Sequence, residues 1–467
     1  MLKNRLKNFL IYIAFLLGIG MCLAQQYFYI DTVEIEGNKK TKRNIILREF
    51  LKKQGDTVSA NRLYYVVQRS QQNIFNTNLF VFDTVYFEKT DSDKVKLHTH
   101  VRERWYIWPV PIFEIQDRNF NTWWQTKDLF RINYGMVIDH ENFTGRKDKF
   151  SLVFQRGYSE KYGIVYRKPY IDRRQTIGFR TSFFFKQNNE AQYNTVGNHP
   201  LFYRDYKKHI MQLIEAKLSF SYRKKFFDSH TFEMAYNYWN INDTLLKLNA
   251  NMLNEANTHI LQYFYLYYAY VFNNTDIQYY PLKGWVFGGS ITKNGIGLKQ
   301  IENADNFFVF GTLKKFTPIT DWMNIANAVY FKWTDSRRIP YFFNRSIGYG
   351  NNVVRGYEYY IVDGQQYLMT KNALRFRLIK PQVWRLNWLK IQQFNTIPFY
   401  MYFNLFFDAA YVQDRFYFNT NFLSNRWIYG YGAGMDFITY YDLVFRVEFA
   451  VNHLKEAGIY LHLNMGI

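Results

Sequence analysis

The sequence predicts a mostly β protein: a sixteen-stranded antiparallel transmembrane β-barrel preceded by one small α+β domain. Three observations carry this expectation. Apolar and polar residues alternate in segments of about ten, the period of a strand with one face in lipid and one in a polar lumen. The chain is 48% hydrophobic and 21% aromatic, yet its mean hydropathy is −0.35, so the apolar residues are interleaved rather than blocked. An α-helical membrane protein would repeat apolar runs of about 20 residues. Here one long run occurs, from Phe9 to Gly20, at the extreme N-terminus.

That run follows Lys3, Arg5 and Lys7 and precedes Met21-Cys22-Leu23-Ala24, the layout of a secretory leader over 1–24 cut after Ala24. Acylation at Cys22 and retention as an anchor are the alternatives, and bulky Met21 speaks against the first. Cys22 is the sole cysteine. A chain cut after Ala24 holds none, which excludes disulfides, thiolate metal sites and cysteine nucleophiles.

Residues 27–103 read as a compact α+β unit. Tyr29 to Glu36 alternates as a short strand, and Gly37-Asn38 ends it. Thr41 is the expected cap of a helix from Asn44 to Phe50. A second helix fits Ser59 to Asn73, where Leu63, Val66, Val67 and Ile74 recur at helical spacing. Strands over Val81–Lys89 and Lys94–Glu103 complete the unit.

From 105 to 467 the helical period disappears. Leu443, Phe445, Val447 and Phe449 alternate with Val444, Arg446, Glu448 and Ala450, and Leu374, Phe376 and Leu378 flank Arg375 and Arg377. Lipid leaves no partner for an open sheet edge, so such a sheet must close. The even strand number puts both barrel ends on one side of the membrane. Asn188–Lys208 and Asn242–Thr258 read as polar loops or turns. A long inward-folding loop is expected near 335–365. The seam would lie between a first strand near 106–116, containing Pro109 and Pro111, and a last strand carrying Ile459, Leu461, Leu463, Met465 and Ile467 on its lipid face. Prolines cannot donate ladder hydrogen bonds. They either weaken the seam enough to open or simply shape the linker from the first domain.

Enzyme signatures are missing: there is no G-x-S-x-G elbow, no H-E-x-x-H and no P-loop. The Gly430–Gly434 run has no following helix to make a dinucleotide motif. His98 and His100 would share a strand face with nothing beside them to complete a metal site, so no cofactor and no metal is expected. The formal charge of +21 raises nucleic acid as a partner, but no nucleic-acid motif accompanies it. Anionic lipid headgroups and a charged lumen account for the excess.

Two groups of residues carry a family resemblance. IEGNKKTKRNIILREF and NIFNTNLFVFDTVYFE resemble a POTRA domain, with Gly37, Asn38, Thr41, Arg48, Glu49, Leu79 and Phe80 at its recurring positions. Val353-Val354-Arg355-Gly356-Tyr357 resembles the VRG[FY] loop of the BamA/TamA/FhaC superfamily of outer-membrane assembly and secretion barrels. Further landmarks follow the family's order: Asn142–Arg146, Pro169, DIQYYPLKG at 276–284, FDAAYVQD at 407–414 and Tyr431–Gly434. The resemblance implies a minimal, single-POTRA member in the outer membrane, with its POTRA in the periplasm. Its partners would be unfolded outer-membrane or secreted client proteins, outer-membrane lipids and a periplasmic protein at the POTRA. The implied activity is insertion or translocation, client strands being templated at the seam. A dedicated secretion pore for one client and a passive, porin-like barrel are the alternatives. Asp408 shares a strand face with Asn404, Phe406 and Ala410, which aims it into the lumen toward Arg355. The expected clasp is Arg355, Gly356, Tyr357 and Asp408. One departure stands out: the strand after the loop carries Arg375 where family members carry a glutamate, which leaves Asp408, Asp363 or Glu358 to compensate.

Overall fold

The computed structural model describes residues 26–463 except 118, 173, 225–226, 254–257, 278, 299–301, 303, 336–338, 386–395 and 440–442. The leader 1–24 and the expected seam residues Met465 and Ile467 therefore lie outside the described residues.

Two units are distinct: 1–107 with 140–149, and 108–139 with 150–467. The first holds β1 (Tyr27–Glu36), α1 (Arg43–Leu47), β2 (Thr57–Ser59), α2 (Ala60–Phe75), β3 (Phe80–Lys89) and β4 (Lys94–Glu103). Its sheet runs β2-β1-β4-β3, with β1 parallel to β4 and the other pairs antiparallel. Ile30, Val33, Ile46, Leu63, Ile74, Phe80, Val95 and Leu97 fill the core between sheet and helices, as the alternation and helical spacing require. The short strand β2 was not expected. Nor does Thr41 cap α1: the cap position is Lys42, with no side-chain hydrogen bond. The Thr41 hydroxyl instead accepts from Asn142 Nδ2 at 2.9 Å and meets the Tyr106 hydroxyl at 3.1 Å, because the turn at 140–149 packs within this unit.

The sixteen-stranded sheet begins with β5 (Ile107–Ile115), followed by α3 (Phe120–Thr126), β6 (Ile132–Glu141), β7 (Lys149–Gly157), β8 (Ser159–Lys168) and β9 (Ile177–Asn188). A separate hairpin, β10 (Glu190–Val196) with β11 (His199–Arg204), interrupts it. The sheet resumes with β12 (Met211–Tyr222) and β13 (Asp228–Ile241), then after α4 (Asp243–Leu248) with β14 (Ile260–Asn273), β15 (Gly284–Asn294), β16 (Asn306–Pro318) and β17 (Met323–Thr334). It finishes with β18 (Gln366–Arg385), β19 (Thr396–Gln413), β20 (Trp427–Thr439), β21 (Leu443–Asn452) and β22 (Ala457–Leu463). Apart from the hairpin insertion, strands neighbour one another in chain order from β5 to β22. The hairpin and α4 correct the expectation of plain loops at 188–208 and 242–258. The hairpin buries small or polar residues (Ala191, Gln192, Thr195), so the lipid-strand alternation never appears in it, while the helix buries Leu245 in an apolar cluster with Leu253.

Burial on the late strands follows the pleat. On β21 the pattern strictly alternates over its first four residues, with Val444, Arg446, Glu448 and Ala450 buried and Leu443, Phe445 and Phe449 exposed. The buried face is the lumen, and much of what covers the late strands there is the segment 339–365.

Candidate functional site

Against the inner face of β17 to β22 pack residues 347–364, which have no regular secondary structure beyond two isolated bridges. Val353, Val354, Arg355, Tyr357, Glu358, Ile361 and Val362 are all at most 1% exposed. Apolar members of this segment anchor it: Ile347, Val354, Tyr357 and Val362 pack with Met369, Ala410, Val412, Leu423 and Ile428 of the barrel wall and its loops. Gly356 turns the chain at φ +93°, a region that a side chain strains.

That turn aims Arg355 at the wall. Its Nε and Nη2 donate to Asp408 Oδ2 and Oδ1 at 2.7 and 2.6 Å. This is the bidentate fork that guanidinium geometry favours. Nη1 donates to Glu448 Oε1 at 3.0 Å, and Nη2 also reaches the Asn372 carbonyl at 3.2 Å. The guanidinium lies 3.9 Å from the centre of the Phe406 ring. Burial this complete is tolerable only because both carboxylates and the carbonyl replace water.

The structure thus brings together Arg355, Gly356, Tyr357 and Asp408, and adds Glu448. The expectation that Asp363 or Glu358 supplies the second carboxylate to Arg355 is corrected. Asp363 accepts from Thr195 Oγ1 at 2.6 Å and Tyr349 at 2.8 Å. Glu358 accepts from the Gly356 N–H at 2.9 Å and faces His462 at 3.3 Å. Arg375 does not crowd Arg355 either: it donates to the Pro281 carbonyl at 3.1 Å and lies 4.4 Å from the Tyr280 ring centre. The second carboxylate on Arg355 is that of Glu448 on β21.

A second cluster continues the first. Arg446 pairs bidentately with Asp436, at 2.5 and 3.1 Å, and lies 3.7 Å from Glu448. Asp436 also accepts from Tyr280 at 2.7 Å and Asn404 at 3.0 Å. Charges therefore alternate in sign across the lumen, from Asp408 through Arg355, Glu448 and Arg446 to Asp436. Of these, Arg446 and Glu448 were legible as a charged face but not as partners of the loop. Gly430 explains part of the glycine-rich run. A Cβ there would stand 1.9 Å from the Arg355 carbonyl oxygen, so the loop backbone rests directly on β20.

The expected seam residues fall on the two ends of the sheet. Pro109 and Pro111 are exposed on β5. Ile459 and Leu463 of β22 are 69% and 61% exposed, and Leu461 is half-buried. In the first unit, Gly37 sits at φ +88° with the Val101 carbonyl where a Cβ would be, and Asn38 Nδ2 donates to the Thr41 carbonyl at 3.0 Å.

The POTRA family model, described as "Surface antigen variable number repeat", matches residues 28–104. No curated protein sequence matches the chain. Among solved structures, BamA from Haemophilus ducreyi lacking POTRA domains 1–3 is similar at 15% identity and TM-score 0.63, over 93% of this chain and 83% of that one. CdiB from Escherichia coli is similar at 11% identity and TM-score 0.53, over 93% and 75%. Residues 28–104 thus carry a POTRA domain, and the sixteen-stranded barrel shares the fold of these two solved structures.

Proposed function

We propose that this protein is an outer-membrane assembly or translocation factor whose POTRA lies in the periplasm and whose clients are unfolded outer-membrane or secreted proteins. The observation that carries this reading is the loop clasped to the inner wall: a 347–364 segment with Arg355 at its centre is buried against five of its strands. Such a construction braces a barrel.

The rest of the assignment follows from the sheet edges. In the POTRA, β3 is an edge strand, and a groove of about 610 Å³ runs beside it between Gln68, Gln72, Phe75, Val81 and Asp83. An extended segment adding to β3 would gain main-chain hydrogen bonds and lay side chains in that groove. In the barrel, β5 and β22 are the two ends of the strand order, and β5 carries two residues without a backbone donor, Pro109 and Pro111. A seam so built opens at lower cost than any other strand pair, and a client strand can pair there. Strand pairing and burial in lipid supply the driving force, with no nucleotide or cofactor.

Depleting the protein and quantifying the outer-membrane proteome tests this reading. Broad loss of barrel proteins is expected. Loss of a single exported protein would replace it by a dedicated secretion pore, and an unchanged proteome would contradict it.

A further inference from the structure

The last strand's outer edge is already occupied. Leu461 donates its N–H to Asn121 Oδ1 at 2.7 Å and accepts from Asn121 Nδ2 at 3.1 Å on its carbonyl. In a strand, the N–H and C=O of one residue point to the same side. Leu461 stands opposite Val447 in the β21–β22 ladder. With both groups spent on Asn121, it presents them away from β21, at the edge a further strand would use.

A primary amide holds a donor and an acceptor side by side, so the Asn121 side chain reproduces the two-point contact of one residue of a paired strand. It is itself only 5% exposed. Asn121 lies on α3, and α3 is tied down by its cap. Asn119 Oδ1 accepts from the Thr122 N–H at 2.9 Å, while Asn119 Nδ2 donates to the Glu358 carbonyl at 2.7 Å. Glu358 belongs to the loop that Arg355 anchors, and its carboxylate faces His462 of β22 at 3.3 Å. Glu358 therefore touches both the helix that covers the edge and the strand whose edge is covered.

We propose that Asn121 is a place-holder for a client strand on the edge of β22, held there by α3 through Asn119 and the Glu358 segment, and displaced when an extended client pairs. The inference deepens the assembly reading, on which it rests for the identity of the incoming strand. The partner it specifies is an extended segment of alternating apolar residues presenting a free N–H and C=O to Leu461. The aromatic surface of α3, where Phe120 and Trp124 ring centres are 5.7 Å apart, leaves the edge together with Asn121.

The test uses the full chain in lipid vesicles and a labelled peptide of sequence LVFRVEFAVN, the segment that natively pairs with β22, with protein-free vesicles as reference. Asn121→Ala removes the competitor, and the peptide is expected to bind about tenfold tighter, the scale of losing two neutral hydrogen bonds. The Leu461 amide should also exchange with solvent deuterium about tenfold faster. Heat-modifiable migration on a gel reports that the barrel is folded. If Asn121→Ala does not fold, Asn119→Ala frees α3 from the loop and should shift both readouts the same way by a smaller factor. Unchanged peptide affinity and unchanged Leu461 exchange in a folded variant would overturn the proposal. A client-insertion assay separates the two readings. Tighter peptide capture without client insertion by either protein keeps the place-holder and rejects the assembly reading. Equal insertion with equal capture keeps the assembly reading and rejects the place-holder.

Discussion

The two ends of the strand order are built differently. At the late end, β21 buries every second residue, and its Arg446 and Glu448 join a charged cluster that reaches the loop through Arg355. At the early end, seven of the nine residues of β5 are exposed, including Trp108, Val110 and Phe113. A strand that buries little on either face has little to lose by moving. Buried contacts are thus concentrated at the β22 end of the strand order, and on the proposed reading opening displaces β5 while β22 stays in place.

The largest expected effect comes from abolishing the difference. A disulfide joining β5 to β22, introduced into the chain lacking Cys22, should eliminate client insertion while leaving a folded barrel, and reduction should restore it. Insertion by the oxidised protein would show that the seam does not open. Next in size is Arg355→Ala, which leaves Asp408 and Glu448 facing each other without their cation. A cost of about 3–5 kcal/mol is expected, read as a lower urea midpoint of the barrel in lipid. Arg355→Lys should recover little of it, because an ammonium cannot span both Asp408 oxygens as a fork. Gly430→Ala should cost about 1–3 kcal/mol, since its methyl group would collide with the Arg355 carbonyl. A neutral outcome would mean that the loop does not rest on β20.

The smallest effect is in the POTRA. Burial pushes the Asp83 carboxyl up from its ordinary value of 3.8. The contribution of this group to stability is therefore fully present below about that pH and is lost as pH rises through the higher folded value. Asp83→Asn should flatten this dependence and stabilise the domain at neutral pH by about 0.5 kcal/mol, measured by amide exchange of α2 and β3 across pH in the full chain.

How much of this was legible depends on where each residue's partner lies. Strands β18, β21 and β22 showed plainly, because lipid on one face and charge on the other impose a period of two within one segment. Asp408 was legible from the same parity. Glu448 was visible as an inward charge, but its pairing with Arg355 spans 93 positions, and several carboxylates in the sequence were equally eligible. Thr41 looked like a helix cap because its local context permits one. Its actual partner, Asn142, is 101 residues away. The hairpin β10–β11 gave no signal, since its partners are the polar side chains Tyr341, Tyr349 and Asp363 rather than lipid. Asn121 was the least legible of all, for its amide bonds to the backbone of a residue 340 positions on, and a backbone partner leaves no trace in side-chain pattern.

The central claim is that the late strands are fixed by the Arg355 clasp while β5 is free to move. Strand-resolved hydrogen–deuterium exchange of the protein in a lipid bilayer addresses it directly. Amides of β5 should exchange at least about tenfold faster than those of β20 and β21, and Arg355→Ala should bring β20 and β21 toward the β5 rate. Equal protection of β5 and β21 in the unmodified protein would contradict the account.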